Sequence, residues 1–524
     1  MKRLLALVCT CLLGIGMLPA GVAAEEPPVA MEVVFVHSKG ALNNIRNNPT
    51  VCYCLEADLV FTPEDFAEGG AFYNEGRGWI PIGDRETPFS GWLQGNGHTI
   101  SGLQCTASEG GDLYGLFGVS TGLIEGLTVD GFSVTGTPPA SASVGTIAAE
   151  NDGTIAGCAG GGSLAGPQPG GIVGSNRGEV IGCVNFGEVR LESPGSADTG
   201  SAGGIAADNT GILYGCENYG RIISANDSCL LGGIAGSNRW DASAGELSGT
   251  VMFCTNYGPV EGTGGRSYTG GICGRSDYLL IGCGNAAPVT GFWAGGIAGS
   301  HGGILSLCVN SGSVTGGGYA GGLVGCCDNE SGLFPLENAT VSDSYNLGEV
   351  SGITGGSIGG IVGYTERGIL TRVYNVGRIR TASARFSGGI TGGTQVIADC
   401  FPSCYYLQTS GEWTAEQLAM QMGIACTDEE LRRAATLEGF DFQEVWYQLP
   451  DEAYPYPRLV VFAQTGDVNT DGAVNSSDAR LALQKAVGST ELSAYRQLLA
   501  DVNQDGMVNS SDARWILQTA VSLL

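Results

Sequence analysis

Gly170-Gly171-Ile172-Val173-Gly174 opens a phrase that the chain keeps restarting until about Cys400. It returns as Gly203-Gly204-Ile205-Ala206, Gly232-Gly233-Ile234-Ala235-Gly236 and Gly270-Gly271-Ile272-Cys273-Gly274. Further copies start at Gly295, Gly321, Gly359 and Gly388. A second phrase trails each of the first five: Cys183-Val184-Asn185, Cys216-Glu217-Asn218, Cys254-Thr255-Asn256, Cys283-Gly284-Asn285 and Cys308-Val309-Asn310. Two later copies read Ser344-Tyr345-Asn346 and Val373-Tyr374-Asn375. The first Gly precedes the Asn by 15 residues in four copies, by 16 in one, and by 24 and 25 in two. Extra residues confined to one gap mark loops on a fixed scaffold, so each copy is one structural unit.

The apolar runs are short and β-branched, without the period of an amphipathic helix, which predicts strands. Paired glycines permit close backbone approach, and Asn before x-Gly suits a tight turn. Copies of 25–38 residues have the length of one coil of a parallel β-helix with a variable loop. Stacking at about 4.8 Å would align Ile, Val and Cys as interior columns and Asn as a hydrogen-bonded ladder. A disordered Gly-rich tract has no use for such a register.

The pattern GG-[IL]-x-G … C-x-N-x-G-x-V resembles the GLUG repeat of bacterial surface proteins, which also occurs in a non-catalytic part of IgA-protease-like peptidases. The resemblance covers about 230 residues and implies a right-handed parallel β-helix far more than it implies an activity.

Gly makes up 89 of 524 residues, yet 43% hydrophobic content excludes a collagen or linker polymer. Lys2-Arg3, an apolar run from Leu4 to Leu18 and Val22-Ala23-Ala24 read as a secretory signal over 1–24, which predicts a soluble secreted protein. Loss of Lys2 and Arg3 takes the formal charge from −28 to −30, which argues against nucleic acid, and no later run of 18 apolar residues predicts membrane insertion. Residues 25–113 read as an N-terminal cap and opening coils, including the strand Val51–Leu59 and the turn Gly95-Asn96-Gly97. The regular array spans 114–404. Thr414-Ala415-Glu416-Gln417 and Thr427-Asp428-Glu429-Glu430 are capping boxes, each predicting a short helix, the second carrying Leu431, Ala434, Ala435 and Leu437. Residues 405–460 are then a small, partly helical cap over the exposed edges of the last coil.

The strongest functional signal lies in 461–524. Asp467, Asn469, Asp471, Asn475 and Asp478, with Gly472 at the sixth position, recur 34 residues later as Asp501, Asn503, Asp505, Asn509 and Asp512 with Gly506. Oxygen ligands at positions 1, 3, 5, 9 and 12, with the carbonyls of Ala473 and Met507 at position 7, describe two calcium loops. Position 12 is Asp rather than Glu, and each loop leads straight into one helix, predicted over Ala479–Val487 and Ala513–Val521. This duplication resembles a type I dockerin. The resemblance implies two bound Ca2+ ions and docking on the cohesin module of a scaffoldin, as in a cellulosome. It also implies that Ser476, Ser477, Ser510 and Ser511, with Gln484 and Gln518, form the cohesin-binding surface. Lys485 fits the basic residue often found beside the last position, and Thr519 does not.

Catalytic signals are weak. The chain has three histidines, His37, His98 and His301, and no HExxH. Gly299-Ser300-His301-Gly302 has no paired Asp motif beside it and reads as a turn in a coil. Trp240, Tyr257, Tyr268, Trp293 and Tyr319 fit sugar stacking and ordinary packing equally. Sixteen cysteines follow the signal, most of them at an apolar column, where reduced, buried packing is expected. These residues give a mainly β secreted subunit of a cellulosome-like complex, whose β-helix serves as a scaffold binding polysaccharide or cell-surface glycan. A polysaccharide hydrolase or lyase using a groove on the coils is the alternative, and an adhesin the third.

Overall fold

The computed structural model describes residues 33–108, 110–192, 200–241, 248–327, 339–353, 356–366, 368–380, 386–394, 401–411, 422–449, 455–503 and 506–522. The signal segment, the capping box at Thr414–Gln417, Cys400 and Asp505 lie outside the described residues. The chain forms two compact units, Glu32–Thr427 and Asp428–Leu524.

The first unit is a parallel β-solenoid of about ten turns. Ten strands, one per coil from Phe117–Ser120 to Thr391–Thr394, make one parallel sheet, and the remaining coil strands join a larger sheet along the same stack. The first glycines of the repeat pair in one unbroken column: Gly170, Gly203, Gly232, Gly270, Gly295, Gly321, Gly359 and Gly388. Ile172, Ile205, Ile234, Ile272, Ile297, Leu323, Ile361 and Ile390 are buried beside it. Burying such a side chain contributes about 1.5–3 kcal/mol, so the repetition multiplies a local gain along the stack.

The expected Asn ladder runs unbroken. Asn185, Asn218, Asn256, Asn285, Asn310 and Asn346 each donate from Nδ2 to the Oδ1 of the next, ending on Asn375, at 2.8 Å. Within its own coil, Asn185 Oδ1 accepts from Gly187 N–H at 3.0 Å and its amide donates to the Gly187 carbonyl at 2.9 Å. One side chain thereby closes a turn and joins two coils. A second ladder, Asn151–Asn176–Asn209–Asn238, ends on Ser276 Oγ. The repeated Gly174-Ser175-Asn176 and Gly236-Ser237-Asn238 carried its signal in the sequence.

The fifteen described cysteines are free thiols. Column members turn their S–H groups to carbonyls, as Cys183 does to Ile155 O at 3.5 Å. Burial pushes the Cys105 thiol up to about 12.

Three local expectations change. The stretch Val51–Leu59 is two strands, Cys52–Leu55 and Leu59–Val60, and an unforeseen helix, Lys39–Asn44, precedes them with Ser38 Oγ accepting from Ala41 N–H. Strands Cys404–Leu407 and Ile424–Cys426 continue the solenoid sheet past the regular repeats. The helix opened by the Thr427 box is a single turn, Asp428–Leu431. Arg433 leaves helical geometry, so Ala434–Thr436 forms a separate 3-10 turn.

The second unit holds the two loops. Helices Ser476–Ala486 and Ser510–Ser522 each begin three residues earlier than expected, with an unforeseen helix, Ala494–Ala500, between them. Their core is small: Val468, Val474, Ala479, Ala482, Leu492, Ala500, Ala513 and Ile516. The segment 428–462 belongs to this unit and contributes an antiparallel pair, Trp446–Tyr447 with Arg458–Leu459.

Candidate functional site

The first loop is wound around its own acids. Asp467, 2% exposed, accepts from the N–H of Asp471 at 3.0 Å and of Gly472 at 2.9 Å. Asp478, fully buried, reaches back across the loop to Asn469 N–H and accepts from Asn475 N–H, both at 3.0 Å. Asp471 Oδ1 accepts from Ala473 N–H at 3.0 Å, and Asn469 Oδ1 from Asp471 N–H at 2.8 Å. Gly472 has φ +91° and Gly506 φ +81°, a turn that side chains resist.

Helix onset explains the early start. Asn475 Oδ1 accepts from Ser477 N–H at 2.8 Å and Asn509 Oδ1 from Ser511 N–H at 2.7 Å, so each Asn caps its helix. Ser476, Ser477, Ser510 and Ser511 therefore stand on first helical turns. Ser476, Ser510 and Ser511 are exposed, and Ser477 is half-buried. Gln484 is half-buried beside Lys485, whose Nζ meets Glu491 at 2.8 Å, while Gln518 is exposed. In the second loop, Asp512 is buried and accepts from Val502 N–H at 3.1 Å and Asn509 N–H at 2.9 Å, and Asp501 accepts from Gly506 N–H at 2.9 Å. Sequence reasoning missed Trp515, which is 56% exposed on the second helix, where the first carries half-buried Leu481.

On the solenoid, the residues after the first three Asn of the Asn185–Asn375 ladder form an exposed aromatic stack. Phe186, Tyr219 and Tyr257 are 62%, 46% and 45% exposed, with ring centroids 5.5 and 4.8 Å apart. Tyr268 and Trp293 lie 4.3 Å apart, Tyr319 follows, and Trp240 stacks on Tyr278. Several solenoid acids sit in ion pairs, Glu150 with Arg85 and Arg177, Asp208 with Arg239 and Glu261 with Arg221, whereas Glu217 accepts from the Tyr219 hydroxyl at 2.9 Å beside the stack. His301 is not a turn residue. It ends the strand Ala298–His301 fully buried, in register with Ser276 and Cys327, with neither ring nitrogen hydrogen-bonded. Desolvation lowers its pKa to about 4.

Residues 465–519 match the dockerin type I domain. Over 160 residues, 29% of the chain, the sequence is 33% identical to Halomucin of Haloquadratum walsbyi. Over 137 residues, 26% of the chain, it is 31% identical to a "Putative Gly-rich membrane protein" of Evansella cellulosilytica. These matches span 2% and 14% of the two relatives. Among solved structures, a "putative immunoglobulin A1 protease" from Bacteroides ovatus aligns over 81% of this chain and 91% of its own, with 15% identity and a TM-score of 0.29. An IgA1 protease aligns over 71% of this chain and 21% of its own, with 14% identity and a TM-score of 0.25. Among the described residues no helix is long and apolar enough to cross a membrane.

A dockerin implies calcium, and the first loop fits it. Asp467 and Asp478 are buried carboxylates whose partners are backbone N–H groups, and among the described residues neither is ion-paired. Burial raises the Asp467 pKa, backbone N–H groups oppose this, and the Asp478 and Asp471 charges add to it. Buried carboxylates with no basic side chain paired to them among the described residues match an oxygen site for a hard divalent ion. No group of three or more His, Cys, Asp or Glu forms a metal cluster among the described residues. The three Asp of the first loop, Asp467, Asp471 and Asp478, therefore do not stand together as such a group, and Asn469, Asn475 and the Ala473 carbonyl are the further donors that the dockerin resemblance implies.

Proposed function

We propose that this chain is a secreted, non-catalytic subunit of a cellulosome-like complex, docked through its dockerin on a scaffoldin cohesin. The observation that carries the reading is the duplication in 467–512, which presents two Ser-Ser pairs on equivalent helix starts after equivalent acidic loops. Each loop takes one Ca2+. Asp467, Asn469, Asp471, Asn475 and Asp478 with the Ala473 carbonyl hold the first. Asp501, Asn503, Asp505, Asn509 and Asp512 with the Met507 carbonyl hold the second. Calcium neutralises the acids, and the chain's own residues do the rest: Asn475 and Asn509 fix the helix starts, and the serines with Gln484 and Gln518 meet the cohesin.

The GLUG-type solenoid acts as a scaffold that binds polysaccharide or cell-surface glycan. Exposed aligned rings at Phe186, Tyr219 and Tyr257 support this over a hydrolase or lyase, as does the commitment of Glu150 and Glu261 to arginine partners. The test is retention of the full chain on immobilised type I cohesins in calcium, with release by chelator. A parallel polysaccharide array on the full chain is read for both binding and product. Retention without calcium, or cleavage product on the array, would contradict the reading.

A further inference from the structure

The two loops are near copies in sequence but differ in their surroundings. Gly472, the sixth residue of the first loop, is exposed but flanked by half-buried Leu449: a Cβ built there would fall 3.0 Å from Leu449 Cδ1 and 3.3 Å from Cδ2. Leu449 follows the strand Trp446–Tyr447, which is firmly held. Trp446 is buried against Phe440 with ring centroids 4.7 Å apart. Val460 N–H donates to Val445 O at 2.9 Å, and Gln448 Nε2 donates to Pro455 O at 3.0 Å. Equivalent positions also differ independently of Leu449. Asp467, Val468 and Val474 are buried, whereas Asp501, Val502 and Val508 are half-buried.

We infer that the segment Trp446–Leu449 is a clasp on the first calcium loop, so that the two sites exchange calcium at different rates, the first slowly and the second quickly. The inference rests on reading both loops as calcium sites. A calcium ion leaves when water replaces its protein oxygens, and that requires the loop to open at its tight turn. In the first loop, opening at Gly472 must first strip an apolar side chain from the turn and wet a buried carboxylate. Local opening of this kind costs the contacts that it breaks. In the second loop the first acid, Asp501, is already half-exposed, so water reaches it without wetting a buried carboxylate.

The experiment is stopped-flow release from the calcium-loaded full chain into an excess of fluorescent chelator. Two phases of equal amplitude are expected. Asp471→Ala should delete the slow phase, and Asp501→Ala the fast one. Leu449→Ala should accelerate the slow phase about tenfold (~1.4 kcal/mol) and leave the fast phase alone. Leu449→Val, which keeps part of the side chain, should accelerate it less and decides the matter should the alanine variant unfold. Release in a single phase overturns the inference, and so does a slow phase indifferent to Leu449 or a variant that accelerates both phases alike. Absence of any calcium release would overturn the calcium reading itself, and the inference with it.

Discussion

Gly233 and Asn256 occupy one space: a Cβ on Gly233 would lie 2.2 Å from Asn256 Cγ and 2.1 Å from Gly271 O. The same fit recurs at Gly171 with Asn185, Gly204 with Asn218, Gly296 with Asn310 and Gly360 with Asn375. This is why the two phrases of the repeat travel together. The second glycine leaves the room that the ladder amide fills, and the intervening loop can vary without changing either. Asn285 reaches Asn310 over 25 residues and Asn310 reaches Asn346 over 36, both at 2.8 Å. Gly233→Ala is therefore expected to destabilise the solenoid by about 3 kcal/mol or more through overpacking against backbone that cannot move. Gly40→Ala is the control, because it sits in a helix with open space around it and should be neutral or slightly stabilising. Denaturant midpoints of the two variants measure the contrast.

His301 takes the register position one coil past the end of the second ladder at Ser276, with a buried ring that favours the neutral form. Its pKa is about 4 when folded, against an ordinary value near 6.5, so the unfolded chain binds its proton first as pH falls. The stability it permits is complete above about pH 6.5 and declines until about pH 4, a loss on the order of 3 kcal/mol. His301→Asn should flatten the pH dependence of the denaturation midpoint across that window by this amount. Identical slopes in parent and variant would refute it.

Thiol chemistry should follow burial. Cys183, Cys254 and Cys308 are fully buried with pKa values raised by desolvation, and parallel side chains on stacked coils lack the dihedral that a disulfide needs. Among the described cysteines Cys54 and Cys326 are half-buried and the rest buried. A thiol reagent should label few sites in native protein, Cys54 and Cys326 first, and all of them in denaturant without reductant. Most sites unreactive in denaturant would mean disulfides.

Calcium removal should separate the two units. The loops and their helices pack on a described core of eight small or medium side chains, with acids in each loop, so chelation should remove most of their helical circular dichroism. The solenoid draws its stability from its Ile and Cys columns and Asn ladders, none of which involves a cation, and its β signal should persist. Loss of both signals together would contradict this.

Much of this was legible because repetition aligns chemistry. The Ile and Cys columns and the Asn185–Asn375 ladder recur in the same order in successive copies whatever the loop length, whereas the Asn151–Asn238 ladder was not read from the sequence. Where the expectations failed, the deciding facts were not periodic. The inward turn of His301 is set by its strand partners Ser276 and Cys327 rather than by neighbours that read as a turn. The helix begun at Asp428 stops at Leu431 because Arg433 takes extended geometry. Asn475 starts its helix early because its side chain caps Ser477, which no ligand count reveals. The Leu449–Gly472 contact joins segments that share no pattern at all.

Titration calorimetry of the full chain with a type I cohesin, in calcium and in chelator, tests the docking claim most directly. The account predicts binding in calcium by the parent, by the Ser476→Ala/Ser477→Ala variant and by the Ser510→Ala/Ser511→Ala variant. It predicts none when all four serines are replaced, and none in chelator. Loss of binding from either pair alone would contradict the equivalence of the two helix starts, and tight binding in excess chelator would contradict the calcium dependence.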